Sequence, residues 1–177
     1  MPERNFMSIE GRVAGKRFIA PVQPANEKDL KRLFKKDGWK FKWKQEYKIP
    51  GRQIIKLVID GDSEIQGLLS LEVIESGKFI EMHLIETAPH NYGRNKRFLA
   101  VPANLVAFAC KMSIALGFEG YLTFRAKTKL IQHYEINLGA RLASSNNIRM
   151  IIYPAEAEKL VNSYFKNYND GVERTPK

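Results

Sequence analysis

Three runs rich in Ile, Leu and Val, at 54–59, 65–74 and 79–86, follow one another with short breaks built on Asp60-Gly61-Asp62 and Glu75-Ser76-Gly77. Runs of this length and composition are strands, and breaks of this kind are tight turns. A parallel neighbour needs a crossover of a dozen or more residues, so consecutive strands this close pair antiparallel. The middle of the chain is therefore a meander, and everything else has to pack against it. Upstream, 13–22 is expected as a strand that Pro21 and Pro24 end. Asn26 is placed to cap a helix, with Asp29 in a capping-box position and Leu30, Leu33 and Phe34 at helical spacing up to Gly38. Downstream, helices are expected over 102–116, 127–137 and 155–164, with strands at 121–124 and 150–153. Pro102 at a first turn and Gly117 and Gly139 as terminators support the first two helices.

A meander followed by strand-helix-strand-helix-strand is mixed α/β, with a mostly antiparallel central sheet flanked by helices, rather than a doubly wound parallel sheet. No Gly/Ser linker divides the 177 residues, so 1–166 reads as one domain and 167–177 as a polar, loose tail. With 44% hydrophobic residues the chain can bury a core, which excludes a disordered basic tail. No run is long and apolar enough for a membrane span and the start lacks an apolar signal region, so a cytoplasmic protein with no membrane contact is expected. The single cysteine, Cys110, permits no internal disulfide and sits among helical Leu, Phe and Met as a buried apolar residue. No spacing of His, Cys, Asp or Glu suggests a metal.

The net charge is +10, and its excess is local. From Glu27 through Lys56 there are eleven Lys/Arg against four acids. Within that basic 28–56 region, Trp39-Lys40-Phe41-Lys42-Trp43-Lys44 alternates with period two, as in a half-buried strand or extended arm. Two readings stand: a nucleic-acid surface of lysines and stacking aromatics, or aromatic core anchors with a solvated lysine face. A second basic cluster, His90, Arg94, Lys96 and Arg97, falls between the third meander strand and a helix N-terminus. The first N–H groups of a helix lack internal partners and carry partial positive charge, so this junction is a candidate anion site.

Beyond the order of elements from about 13 to 153, two motifs carry a family resemblance. His133-Tyr134-Glu135-Ile136-Asn137-Leu138-Gly139-Ala140 resembles the Tyr-Glu-x-x-Leu-Gly ending of the fourth helix of the GNAT superfamily of acyl-CoA-dependent N-acyltransferases. Arg97-Phe98-Leu99-Ala100-Val101-Pro102 aligns with that family's pyrophosphate loop, Gln/Arg-x-x-Gly-x-Gly/Ala. Ala100 replaces the central glycine, and Pro102 removes one N–H from the cradle. More loosely, Ala88-Pro89-His90-Asn91, Ala126-Lys127-Thr128 and His133-Tyr134-Glu135 are similar to segments of an uncharacterised bacterial GNAT-like group.

The resemblance implies an N-acetyltransferase that moves acetyl from acetyl-CoA to an amine by direct attack in a ternary complex. It implies Tyr134 as the general acid at the cofactor sulfur. Main-chain groups near Ile85 and Thr87 are implied at the end of a splayed strand, and Arg94, Lys96, Arg97, Ala100, Val101 and Asn104 around the cofactor diphosphate. Glu86, at the open end of that strand, is the candidate base. His83 and His133, as lone histidines, read as structural. The basic 28–56 region favours an acceptor or partner that carries negative charge, and a monomer or homodimer is expected. Two other readings stand beside this one: a GNAT-like fold that has lost catalysis and serves as a binding or regulatory module, for which Ala100 and Pro102 speak, and the nucleic-acid-binding protein.

Overall fold

The computed structural model describes residues 6–12, 15–166 and 172–173. Its elements in chain order are β1 (Phe6–Glu10), β2 (Arg17–Ile19), β3 (Val22–Pro24), α1 (Glu27–Lys31), α2 (Trp43–Glu46), β4 (Gln53–Leu57), β5 (Gly67–Ile74) and β6 (Phe79–Thr87). Then follow α3 (Val101–Ala115), β7 (Leu122–Arg125), α4 (Ile131–Leu138), β8 (Arg141–Ser144), β9 (Arg149–Ile152), α5 (Pro154–Tyr164), β10 (Phe165–Lys166) and β11 (Val172–Glu173). Seven strands form the central sheet in the order β3-β4-β5-β6-β7-β9-β8, antiparallel at every step except β6 with β7. This is the mixed, mostly antiparallel sheet flanked by helices that the meander demanded. A smaller sheet has the order β10-β1-β2-β11.

The sheet is covered on both faces. On one face α3 and α5 close a large core that includes Leu69, Leu71, Ile80, Met82, Leu105 and Leu122. Gly67 allows this close approach, because a Cβ there would lie 2.6 Å from Val101 at the start of α3. On the other face α1 and α2 lie over a smaller core of Leu30, Trp39, Trp43, Ile54, Leu68 and Ala88. Among the described residues no helix is long and apolar enough to cross a membrane.

Several expectations need correction. Residues 13–22 are not one strand: Val13 and Ala14 lie outside the described residues, β2 and β3 are separate pieces, and β1 was not expected. The Asn26–Asp29 capping box forms, but α1 stops at Lys31, and a 3-10 turn over Lys35–Asp37 leads to Gly38. Gly38 takes φ 97° against Pro89, where a Cβ would lie 2.9 Å away. The alternating 39–44 segment is not a strand. Trp39 and Trp43 are both buried and Trp43 opens α2, so the two tryptophans are anchors of the second core, whereas Phe41 is exposed and is not. The hairpin of β8 and β9 was anticipated only in its second strand. The loose tail expected from Asn167 lies outside the described residues, save for Val172 and Glu173, which pair in parallel with β2.

Candidate active site

The sheet opens at one place. β6 pairs with β7 only over Ile80–Met82 against Leu122–Phe124, yet β6 runs on to Thr87. His83 marks the departure as the extra residue of a β-bulge: Leu71 pairs with Met82, and Ser70 already pairs with Leu84. The bulge changes the alternation, so Ile80 and Met82 before it, and Ile85 after it, all pack toward the large core. Between the diverging strands lies a cavity of about 340 Å³ walled by Ile85, Thr87, Phe124 and Tyr134. A second cavity of about 340 Å³ adjoins it and reaches Lys96, Ala100, Val101 and Ala103 at the start of α3. Thr87, Tyr92, Pro102, His133, Tyr134 and Leu138 belong to both, so the two form one groove.

At the α3 end the backbone is shaped as the altered motif requires. Ala100, the residue before the helix, holds φ 54° and ψ 35°, the left-handed conformation that glycine adopts without cost. Ala100, Val101 and Ala103 have N–H groups with no acceptor among the described residues, whereas Pro102 has none to offer. The N–H groups of Phe98 and Leu99 are spent on Asn91 Oδ1 (3.1 Å) and on the carbonyl of Glu10 (2.8 Å). Three free donors at a helix N-terminus with Lys96 in the wall fit an anionic group such as a diphosphate. The other expected anion partners stand elsewhere. Arg97 is ion-paired with Glu64 and lines neither cavity, and the exposed Arg94 lines neither as well. Asn104 is fully buried and donates to the Ala100 carbonyl (3.0 Å), so it holds the helix start and does not line the groove.

Tyr134, on α4, sits in the wall common to both cavities. Its ring meets Phe124 edge-on at 5.2 Å, and burial raises the pKa of its phenol. Glu86 does not face this groove. It is 3% exposed and accepts from the backbone N–H of Lys40 (2.6 Å) and Phe41 (3.2 Å) and from Trp43 Nε1 (2.7 Å). A buried carboxylate with three donors ties the loop before α2 to the sheet and lies outside the groove lining, where it cannot reach a substrate, which removes Glu86 as the base. Cys110 is fully buried in the large core, and burial pushes its thiol up to about 12.

His83 emerges instead. Its Nε2 lies 3.0 Å from Glu72 Oε2, and Glu72 also accepts from Arg52 Nη1 at 3.2 Å. An Nε2–H donated to Glu72 leaves Nδ1 as the basic nitrogen. His83, Met82 and Arg125 line both the cavity between the strands and a further cavity of about 300 Å³ on the other face of the sheet, which Arg52 and Glu81 complete. The sequence alone does not mark this spot: Ile80, Met82 and Leu84 keep an unbroken alternation, and only the pairing with β5 reveals the extra residue. His133 is exposed and its Nδ1 lies 3.0 Å from Asn137 Nδ2.

Solved structures share this fold. The spermidine/spermine N-acetyltransferase SpeG of Vibrio cholerae superposes with a TM-score of 0.55 at 13% identity, covering 79% of this chain and 98% of that one. The AtaT toxin bound to the C-terminus of the antitoxin AtaR and acetyl-CoA gives 0.53 at 13% identity, over 81% and 98%. A GNAT-family acetyltransferase of Listeria monocytogenes gives 0.52 at 11%, over 81% and 96%. No family model and no curated protein sequence matches the chain. The chain has the fold of the GNAT acetyltransferases, as the order of elements and the 133–140 motif implied.

Proposed function

We propose that the protein is an N-acetyltransferase that takes acetyl from acetyl-CoA and passes it directly to an amine. The observation that carries this is the continuous groove from the free N–H groups at the α3 N-terminus to the opening between β6 and β7, with Tyr134 in its shared wall. Acetyl-CoA needs an anion site for its diphosphate, a channel for its arm and a widened strand edge for its thioester. The groove offers these in that order. Neighbours of the same fold include AtaT, whose structure holds acetyl-CoA.

In this reading Ala100, Val101, Ala103 and Lys96 hold the diphosphate, and the unpaired edge of β6 at Ile85 and Thr87 bonds the arm and the acetyl carbonyl. The amine enters from the opposite face past His83. Its nitrogen forms the new C–N bond while the C–S bond breaks. His83 Nδ1 takes the proton that the nitrogen loses, with Glu72 stabilising the imidazolium. Tyr134 gives its proton to the departing thiolate. Burial that raises the phenol pKa keeps it protonated for this task.

The test is Tyr134→Phe. Acetyl-CoA binding by calorimetry is expected to stay within about threefold of wild type, while kcat falls roughly 100-fold or more, the scale of a lost general acid. Equal kcat in the variant would remove the role.

A further inference from the structure

The acceptor side of the sheet carries an imbalance of charge that the acetyl-transfer reading alone does not explain. Its acids are already engaged. Glu46 and Glu72 lie 3.4 and 3.2 Å from Arg52, and Glu81 lies 3.2 Å from Arg149, which also donates to Thr123. Arg125 has no partner among the described residues. It stands directly across from Arg149 in the β7–β9 ladder, and because Glu81 pairs with Arg149, the Arg125 guanidinium is the charge of the two left without a counter-ion among the described residues. Arg52 belongs to the same wall, but its Nε is already 3.4 Å from Glu46 Oε1 in an ion pair, so it is not a free anion partner. Arg125 and Arg52 share the cavity of about 300 Å³ with His83.

Resting on the acetyl-transfer reading, we propose that the acceptor is a small amine bearing a carboxylate near the reacting nitrogen, an α-amino acid or a compound built like one, whose carboxylate Arg125 holds. The two ends of such a molecule match the two ends of the cavity. Its amine meets the Glu72–His83 pair, where a cation loses its proton, and its carboxylate meets a guanidinium that can bind both oxygens at once. A polyamine fits poorly, because it asks for free carboxylates at a distance from the reacting nitrogen and each acid around this cavity is held by an arginine. The volume lies at the small end of ligand sites, which favours a single compact molecule.

The experiment compares each common amino acid with its decarboxylated amine, and with spermidine, on the full chain. Binding is read by calorimetry with CoA present, and turnover by release of the CoA thiol from acetyl-CoA. At least one amino acid is expected to bind ten or more times tighter than its amine, and in Arg125→Ala that preference is expected to collapse toward unity. Arg125 is exposed at the end of β7, so this variant is expected to melt like wild type, and its melting curve checks that. Equal binding of amino acid and amine, tighter binding of spermidine, a preference that survives Arg125→Ala, or no binding across the panel overturns the assignment. The two readings fail separately. An amino acid that binds through Arg125 without thiol release leaves the acceptor standing and removes acetyl transfer. Thiol release with spermidine alone keeps acetyl transfer and removes the acceptor.

Discussion

Glu86 and Tyr134 show how little of a residue's role its type decides. Both are groups that acyl transfer could use, and they lie on neighbouring elements at the same end of the molecule. Glu86 is turned into the second core, where burying a carboxylate is tolerable only because three N–H groups meet it. In Glu86→Gln one carboxylate oxygen becomes an NH2 that faces those donors. The expected cost is about 2 kcal/mol, which for a chain of this size lowers the melting temperature by roughly 4–8 °C. Turnover below that temperature is expected to stay within about threefold of wild type. A 100-fold fall in kcat with an unchanged melting curve would return the base role to Glu86. For Tyr134 the sign of the pH effect follows from burial. The acid is needed protonated, and its pKa is raised above the ordinary value of 10, so activity is lost only as pH climbs past that value. Its titration therefore leaves no alkaline limb below about pH 10 in a kcat profile. Tyr134 was legible in the sequence because its motif is local to one helix end. Glu86 was not, because its partners are 43 to 46 residues away and no local pattern records them.

At the scale of elements, the legible features are those whose causes sit within a few residues. The Asn26–Asp29 box, the meander turns and Gly139 at φ 65° after α4 all follow from short-range chemistry, and all form. The bulge at His83, the β8 strand and the destination of Arg97 depend on which elements meet, so they were missed or misplaced. Arg97 lies 33 residues from Glu64 and crosses to the loop between β4 and β5. His90 joins the same contact: its Nε2 donates to Gln66 Oε1 at 2.8 Å, and its Nδ1 lies 3.7 Å from Glu64. Burial first, and Arg97 second, lower the His90 pKa, against the smaller opposing pull of Glu64 and Asp62. The unfolded chain then binds a proton near pH 6.5 that the folded loop still refuses. Stability is therefore expected to fall as pH drops through that value, and His90→Gln, which can still donate to Gln66, is expected to flatten this part of the curve. Melting temperatures from pH 8 to 5 check it, and identical slopes for the two proteins would show that His90 does not carry the effect. Asp29 does not contribute in this window, since its lowered pKa places its loss at still lower pH.

On the scale of the whole molecule, the sheet separates two cores and the opening beside β6 is where they come nearest to communicating. The groove from the α3 N-terminus enters on the large-core side, the Arg125 cavity lies on the other, and Met82, His83 and Arg125 border both. A ligand that fills the groove bridges α3, α4 and β6, whose residues line it. Because such a ligand binds only the folded chain, it stabilises by an amount set by its concentration relative to Kd. At 100 times Kd, acetyl-CoA is expected to add about 2.7 kcal/mol. For a chain of this size that corresponds to roughly 5–10 °C in melting temperature. Lys96→Ala, which removes one exposed cation from the wall, is expected to shrink this shift while leaving the ligand-free melting temperature unchanged. The same comparison separates the two uses of the fold, because a GNAT-like chain that had lost its cosubstrate with the Ala100 and Pro102 replacements would show no shift at any concentration. A shift that depends on Lys96 but not on Lys40, Lys42 or Lys44 would assign the function of positive charge at the groove, and leave the larger basic face over α1 and α2 free for other contacts.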